Sequence, residues 1–136
     1  IVVLEPGQRF DPRRDHIFVA GWDSDAEPVH LLVNGDSLPP PLHLAAGVPH
    51  RFRFVNIGAA VRWPFSIYRD SSLVEWRSLA RDGAELPPAQ ALVMPSKEGV
   101  DVGETRDVEF VPVPGTYRLV VGDPKQPKWV QVLVAR

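Results

Sequence analysis

Few residues of this chain have the chemistry to hold a metal, and they are scattered. The 136-residue sequence contains four histidines and no cysteine. A metal site needs imidazole, thiolate or carboxylate groups that converge in space. His43 and His50 flank a predicted turn, so they are the candidate pair for a metal site. We favour a plainer interpretation, in which both lie at strand edges and face water or a backbone carbonyl.

The remaining polar residues predict structural roles. His16 and His30 adjoin apolar runs, and Asp82-Gly83 has the composition of a tight turn. The acidic residues between 101 and 109 predict a solvated strand face. The sequence contains no G-x-S-x-G, P-loop, H-E-x-x-H or Rossmann glycine pattern. We therefore assign no catalytic residue.

Aromatic residues offer a different kind of site. The chain has four tryptophans, Trp22, Trp63, Trp76 and Trp129. If their rings are exposed, they form a platform for a glycan or a protein partner; if buried, they fill the core or a contact with a neighbouring domain. We favour the second interpretation and keep all four as possible interface aromatics.

Bulk properties limit the partners. The net charge is −2 and the fifteen Lys and Arg residues form no stripe, so we expect no nucleic-acid partner. No apolar run reaches the roughly 18 residues that span a bilayer, so we expect no membrane partner. The chain starts at Ile1 without an initiator Met or a signal sequence, which agrees with either a processed chain or a fragment of a longer protein.

Fifteen prolines and ten glycines, spread along the chain, predict many short strands and few helices. The segment 50–57 alternates most clearly, with Phe52 and Phe54 predicted to face the core opposite Val108 or Phe110. Segment 71–80 is open to either a strand or a short helix. The predicted strands are 1–4, 15–22, 29–33, 42–44, 50–57, 65–68, 73–79, 91–94, 104–111, 116–121 and 129–134, a pattern typical of a sandwich or barrel.

Several segments, in order, resemble a domain of the multicopper oxidase (laccase-like) family. They are Leu32-Val33-Asn34-Gly35, the prolines 39–41, Leu42-His43-Leu44, Arg51-Phe52-Arg53-Phe54-Val55-Asn56, Phe65-Ser66-Ile67, Ala80-Arg81-Asp82-Gly83, Gly103-Glu104-Thr105-Arg106-Asp107-Val108 and Pro114-Gly115-Thr116-Tyr117. The resemblance implies an all-β, Greek-key β-sandwich or barrel of the cupredoxin-like kind. It makes residues 1–136 one domain of a larger multidomain protein, with 1–14 resembling an inter-domain linker plus the first strand.

The copper ligands of that family are absent from the matching places. A copper-bearing domain would resemble H-P-F-H-L-H-G where this chain has Trp63-Pro64-Phe65-Ser66-Ile67-Tyr68-Arg69. The ligand positions are then held by Trp63, Ser66 and Tyr68, and those of the later H-C-H motif by Val120, Val121 and Gly122. A type 1 copper site needs a thiolate and two imidazoles. The resemblance thus implies no cofactor in this domain, and copper in the parent protein.

The function that follows is structural. The resemblance implies a non-catalytic, copper-free cupredoxin domain that packs against copper-bearing domains of an oxidoreductase parent, exported to the periplasm or the extracellular space. The resemblance fits either a middle domain or a terminal domain that has lost its copper ligands. It leaves open whether the chain forms a homo-oligomer. The alternative hypothesis is a stand-alone β-sandwich binding module that uses exposed aromatics for a glycan or protein partner.

Overall fold

The computed structural model describes Leu4, residues 6–23 and residues 30–136. Apart from Leu4, the predicted strand 1–4 lies outside the described residues, as does Val29 of the predicted strand 29–33. The described residues form thirteen strands and no helix, so no helix among them could cross a bilayer. The strands are β1 (Asp15–Trp22), β2 (Leu31–Val33), β3 (Leu42–Leu44), β4 (His50–Asn56), β5 (Trp63–Arg69), β6 (Ser72–Leu73), β7 (Glu75–Arg81), β8 (Ala84–Glu85), β9 (Val93–Pro95), β10 (Lys97–Val100), β11 (Thr105–Phe110), β12 (Gly115–Asp123) and β13 (Gln126–Ala135).

The strands form two sheets. The seven-stranded sheet has the order β2-β1-β4-β11-β7-β8, with β9 also paired to β7. The six-stranded sheet has the order β10-β5-β12-β13-β3, with β6 paired to β5. Pairing is antiparallel except between β1 and β4 and between β3 and β13. Both sheets contribute residues to one hydrophobic core, as a sandwich requires. The predicted all-β sandwich is confirmed.

Strand β4 shows how the alternating sequence builds this core. Phe52 and Phe54 are fully buried, while Arg51, Arg53 and Val55 between and beside them are only partly buried. Val108 lies directly opposite Phe52, and the Phe110 ring contacts the Phe52 ring at a centroid distance of 6.1 Å. The predicted core face of this strand is therefore confirmed.

The segment 71–80, for which the sequence allowed either a strand or a short helix, is extended. Residues 72–73 and 75–81 are strands, and the second of them pairs with β11 and buries Trp76 and Ala80. Strand β10 was not predicted, because Lys97-Glu98-Gly99-Val100 has a single apolar residue to bury. Pairing to β5 supplies the hydrogen bonds that its own composition does not predict.

Two predicted tight turns are confirmed by their backbone angles. Asp82 and Gly83 both have positive φ, of 50° and 81°, and so do Asn34 and Gly35, at 54° and 79°. Two successive left-handed residues give a type I′ turn, which Asn-Gly and Asp-Gly favour. Tyr117 stabilises the turn that precedes β12, because its Oη donates a hydrogen bond to the Val113 carbonyl at 2.7 Å. Tyrosine corners of this kind recur in β-sandwiches.

Candidate functional site

The positions that the resemblance equates with copper ligands lie side by side. Strands β5 and β12 are neighbours, and their register places Ser66 opposite Val120, and Phe65 opposite Val121. Ser66 and Val120 are each 1% exposed. Trp63 and Tyr68 lie on the same strand as Ser66, and Gly122 follows Val121 at a β-bulge. The fold thus places the two segments on neighbouring strands.

The side chains at these positions do not fit copper. They provide an indole, a hydroxyl, a phenol and aliphatic groups, whereas a type 1 site requires one thiolate and two imidazoles. Among the described residues, no group of three or more His, Cys, Asp or Glu is arranged to hold a metal ion. The donor set therefore offers no place for the family's copper.

These positions are also divided between the two faces of the sheet. Trp63 and Val121 belong to the hydrophobic core. Ser66, Tyr68 and Val120 alternate with core residues along β5 and β12, so they face away from the sandwich interior. Part of this constellation therefore belongs to the outer face of the six-stranded sheet.

The structure does not pair His43 with His50. His43 is exposed on β3, whereas His50 is fully buried at the start of β4 in the other sheet. Nδ1 of His50 lies 3.1 Å from Nε2 of His16, and Nε2 of His50 lies 3.0 Å from the Ala45 carbonyl oxygen. Both ring nitrogens of His50 are thus engaged, which leaves neither for a metal shared with His43.

The His16–His50 contact has one consistent arrangement of protons. A carbonyl oxygen only accepts, so Nε2 of His50 carries the hydrogen that it donates to Ala45. Nδ1 of neutral His50 then accepts the hydrogen bond that Nε2 of His16 donates. The pKa of His16 is lowered from 6.5 to about 4, chiefly by burial and also by nearby His50, while Asp15 opposes the shift. The His16 ring is therefore neutral at pH 7.

This pair predicts a loss of stability between pH 6.5 and 4. Unfolded His16 binds a proton below about 6.5, whereas folded His16 binds one only near pH 4. Because the unfolded state binds more protons in this window, the free energy of unfolding falls as the pH falls, by at most about 3 kcal/mol from this residue.

Urea unfolding of the parent chain and of His16→Gln at pH 7 and pH 4.5 measures this contribution. Gln keeps a donor for His50, so we expect the variant to lose part of the pH dependence. His43→Gln is the matched control, since His43 is exposed, and it should keep all of it. Equal pH dependence in His16→Gln and the parent chain would contradict the prediction.

The histidine pair is only weakly indicated by local sequence. His16 occupies an inward position of β1, in phase with Phe18 and Ala20. What joins it to His50 is the parallel pairing of β1 with β4, which puts His16 opposite Phe52, two residues from His50. Parallel register between distant segments has no local sequence pattern from which it could be predicted.

The tryptophans belong largely to the core of this chain. Trp63, Trp76 and Trp129 are 6%, 2% and 3% exposed. Trp22 is half-buried and packs edge-on against Trp63 at a centroid distance of 5.2 Å. Nε1 of Trp129 donates to the Asp36 carbonyl at 2.9 Å. These rings stabilise the sandwich and do not form an exposed aromatic platform.

A charged cluster on the outer face of the seven-stranded sheet was not predicted. The expectation that Asp107 is solvated is wrong: its side chain is 7% exposed. Oδ2 of Asp107 accepts hydrogen bonds from Arg51 Nε at 2.8 Å and from Arg53 Nη1 at 2.7 Å. Arg51 also pairs with Glu85, and Arg53 lies 3.8 Å from Asp15. Antiparallel register causes this, since it places Asp107 directly opposite Arg53.

An open groove of about 520 Å³ adjoins this cluster. Ile17, Val19 and Val55 form part of its apolar wall, and Arg53 and Asp107 line its charged side. Because Asp107 is held by two arginines, it is committed to the fold and is not placed as a free acid or base. The groove has no nucleophile paired with a base, so its arrangement gives no catalytic constellation.

Comparisons with known proteins connect the fold to copper oxidases. No family model and no curated protein sequence matches the chain. The solved structures similar to it include a blue copper oxidase from Nitrosomonas europaea, with a TM-score of 0.69 and 14% identity over 90% of this chain and 43% of that one. A copper-containing nitrite reductase from Thermus scotoductus gives 0.69 and 15%, over 93% and 31%. A laccase from Botrytis aclada gives 0.69 and 13%, over 89% and 29%.

These similarities concern the fold, because the identities are low. In each case the chain spans less than half of the length of the similar protein. The two-sheet architecture agrees with the resemblance drawn from the sequence motifs. The chain therefore has the cupredoxin-like β-sandwich fold that is found within multicopper oxidases and laccases.

Proposed function

We propose that this chain is a copper-free cupredoxin domain of a multicopper oxidase-like protein, and that its role is structural. Residues 1–136 form one domain, with 1–14 as linker and first strand, and the domain packs against copper-bearing neighbours in an exported oxidoreductase. One observation carries the proposal. Ser66 and Val120, at positions equated with ligands, are cross-strand neighbours in an otherwise complete sandwich, yet neither side chain is a copper ligand.

The similar structures support the wider context. Their names describe a blue copper oxidase, a laccase and a nitrite reductase, and the part similar to this chain spans 29–43% of their chains. A domain that keeps the fold and lacks ligands retains the surfaces through which it packs, while losing the capacity to accept electrons. It then shapes the parent protein and holds the spacing between the domains that carry out redox chemistry.

The alternative, a stand-alone module with an aromatic platform, has less support. Such a platform needs several exposed rings close together. Three of the four tryptophans are buried in the core of this chain, and the fourth is half-buried against one of them.

Copper titration of the purified chain tests the proposal. We expect no tight stoichiometric binding of Cu(II) by calorimetry, no blue absorption band and no oxidation of a phenol. His43→Ala is the control for weak binding at an exposed imidazole. One tightly bound equivalent with a blue band, or phenol oxidation by the copper-treated chain, would contradict the proposal.

A further inference from the structure

The outer face of the six-stranded sheet is apolar where a solvated face would be polar. Along β13, Trp129, Leu133 and Ala135 belong to the core. The residues that alternate with them on the opposite face are Val130, Val132 and Val134. Antiparallel sheets with one solvated face normally alternate apolar and polar residues, whereas strands covered on both faces are apolar throughout. From Trp129 to Ala135, strand β13 comes close to the second pattern, since Gln131 is its one polar residue there.

The cross-strand neighbours extend this apolar surface. Val130 lies opposite Val120, Val132 opposite Arg118, and Val134 between Thr116 and His43. On the other side of β12, Tyr68 lies opposite Arg118, and Leu73 opposite Tyr68. Val132 and Leu73 are each 37% exposed. We call this surface the valine face, defined by Leu73, Val130, Val132 and Val134. Tyr68 and Val120 lie on the same side of the sheet but are only 8% and 1% exposed, so they are already covered within this chain.

The charges on this face all have one sign. Arg118 lies within it, and Lys97 lies at its edge, opposite Ser66. Before the bulge that follows Val121 in β12, the outward positions of β3, β5, β10, β12 and β13, which the structure describes completely, include no Asp or Glu; Asp123 lies beyond that bulge. The outer face of the other sheet differs, since Arg51 and Arg53 are paired there with Asp107. Nη2 of Arg118 donates to the Asp70 carbonyl at 3.1 Å, but neither Arg118 nor Lys97 is paired with a carboxylate of the described residues.

We propose that the valine face is the docking surface for a neighbouring domain of the same polypeptide. This inference rests on the proposed function. It adds which face of the domain makes the contact and what chemistry the partner surface has. The partner surface is apolar opposite the valines, with carboxylates opposite Arg118 and Lys97. A two-fold contact between copies of this chain would bring the arginines and lysines of both copies together without counter-charges. A neighbouring domain also agrees with the similar structures, in which the part similar to this chain spans 29–43% of a longer chain.

Cysteine labelling tests the inference directly, because the chain has no cysteine of its own. Val132→Cys and Thr116→Cys place a thiol on the valine face and at its edge. Val93→Cys is the matched control, at a residue that is 53% exposed on strand β9 of the other sheet. Each variant is made in the isolated chain and in the full natural polypeptide. Maleimide labelling is followed at the modified peptide by mass spectrometry, and sedimentation gives the association state.

We expect labelling at positions 132 and 116 to be at least about tenfold slower in the full polypeptide than in the isolated chain, since thiol reactivity depends on access. Position 93 should label equally in both. Equal rates at all three positions would overturn the inference. Slow labelling already in the isolated chain, with self-association, would assign the face to a second copy and also overturn it. Copper binding by the isolated chain would overturn the proposed function without changing the labelling rates, so the two failures are distinguishable.

Discussion

Replacing Phe54 by alanine is expected to lower the free energy of unfolding by about 3–5 kcal/mol. Phe54 is fully buried at the centre of β4. Its ring stacks on Phe65 of the opposite sheet at a centroid distance of 4.4 Å and contacts Phe18 and Trp76 at 5.6 Å. Truncation removes one of the aromatic contacts that join the two sheets and leaves a cavity among aromatic rings that cannot readily collapse.

Equilibrium unfolding in urea, monitored by tryptophan fluorescence and circular dichroism, measures this loss. The matched control is Val55→Ala, at the next residue of the same strand, which is half-buried on the outer face. We expect the control to lose about 1 kcal/mol or less, in proportion to the smaller area buried. A loss below about 1 kcal/mol for Phe54→Ala would show that β4 presents its other face to the core, because a one-residue change in register exchanges the faces.

The Asp107→Ala variant is expected to lose about 3 kcal/mol. Asp107 accepts hydrogen bonds from both Arg51 and Arg53, whose side chains are 18% and 13% exposed. Removing the shared carboxylate leaves two poorly solvated guanidinium groups without a counter-charge that both now contact. Breaking a buried ion pair in this way costs about 3–5 kcal/mol. Because Arg51 retains Glu85 and both arginines retain some access to water, the lower end of that range is expected.

The control is Glu109→Ala, on the same strand and the same face. Glu109 lies 3.8 Å from Arg77, and the two side chains are 34% and 48% exposed. Such an exposed pair contributes about 0–1 kcal/mol. The triple variant with Arg51→Met, Arg53→Met and Asp107→Leu should recover much of the stability, since an apolar replacement removes the desolvation penalty of all three charges. Losses of the same small size in Asp107→Ala and Glu109→Ala would contradict a special role for the cluster.

Local pattern was sufficient for most strands of this fold. The segments 15–22, 42–44 and 50–56 are strands as predicted, because period-2 alternation and turn residues act over a few residues. Turn chemistry was sufficient at Asp82-Gly83 and Asn34-Gly35, where left-handed backbone is required. The local alternation pattern was insufficient to predict β10. This segment is a strand because it forms hydrogen bonds to β5, not because of its own side chains.

The candidate site was less predictable than the fold. The motif resemblance singled out the segments around Ser66 and Val120, which the structure places on neighbouring strands. It could not indicate that His50 pairs with His16, or that Asp107 lies buried between two arginines. In both cases the partners are more than 30 positions apart in the chain, and their contact depends on register between strands that are not consecutive.

By itself, the amino-acid sequence determined the fold class and excluded thiolate chemistry. The alternation of β4 requires a sandwich face, and a chain without cysteine cannot build a type 1 copper site. Only the tertiary structure decided that three of the tryptophans fill the core, that His16 meets His50, and that the valines of β13 line an outward face. The physical reason is that composition and period act locally, whereas burial and charge pairing depend on which distant strands become neighbours.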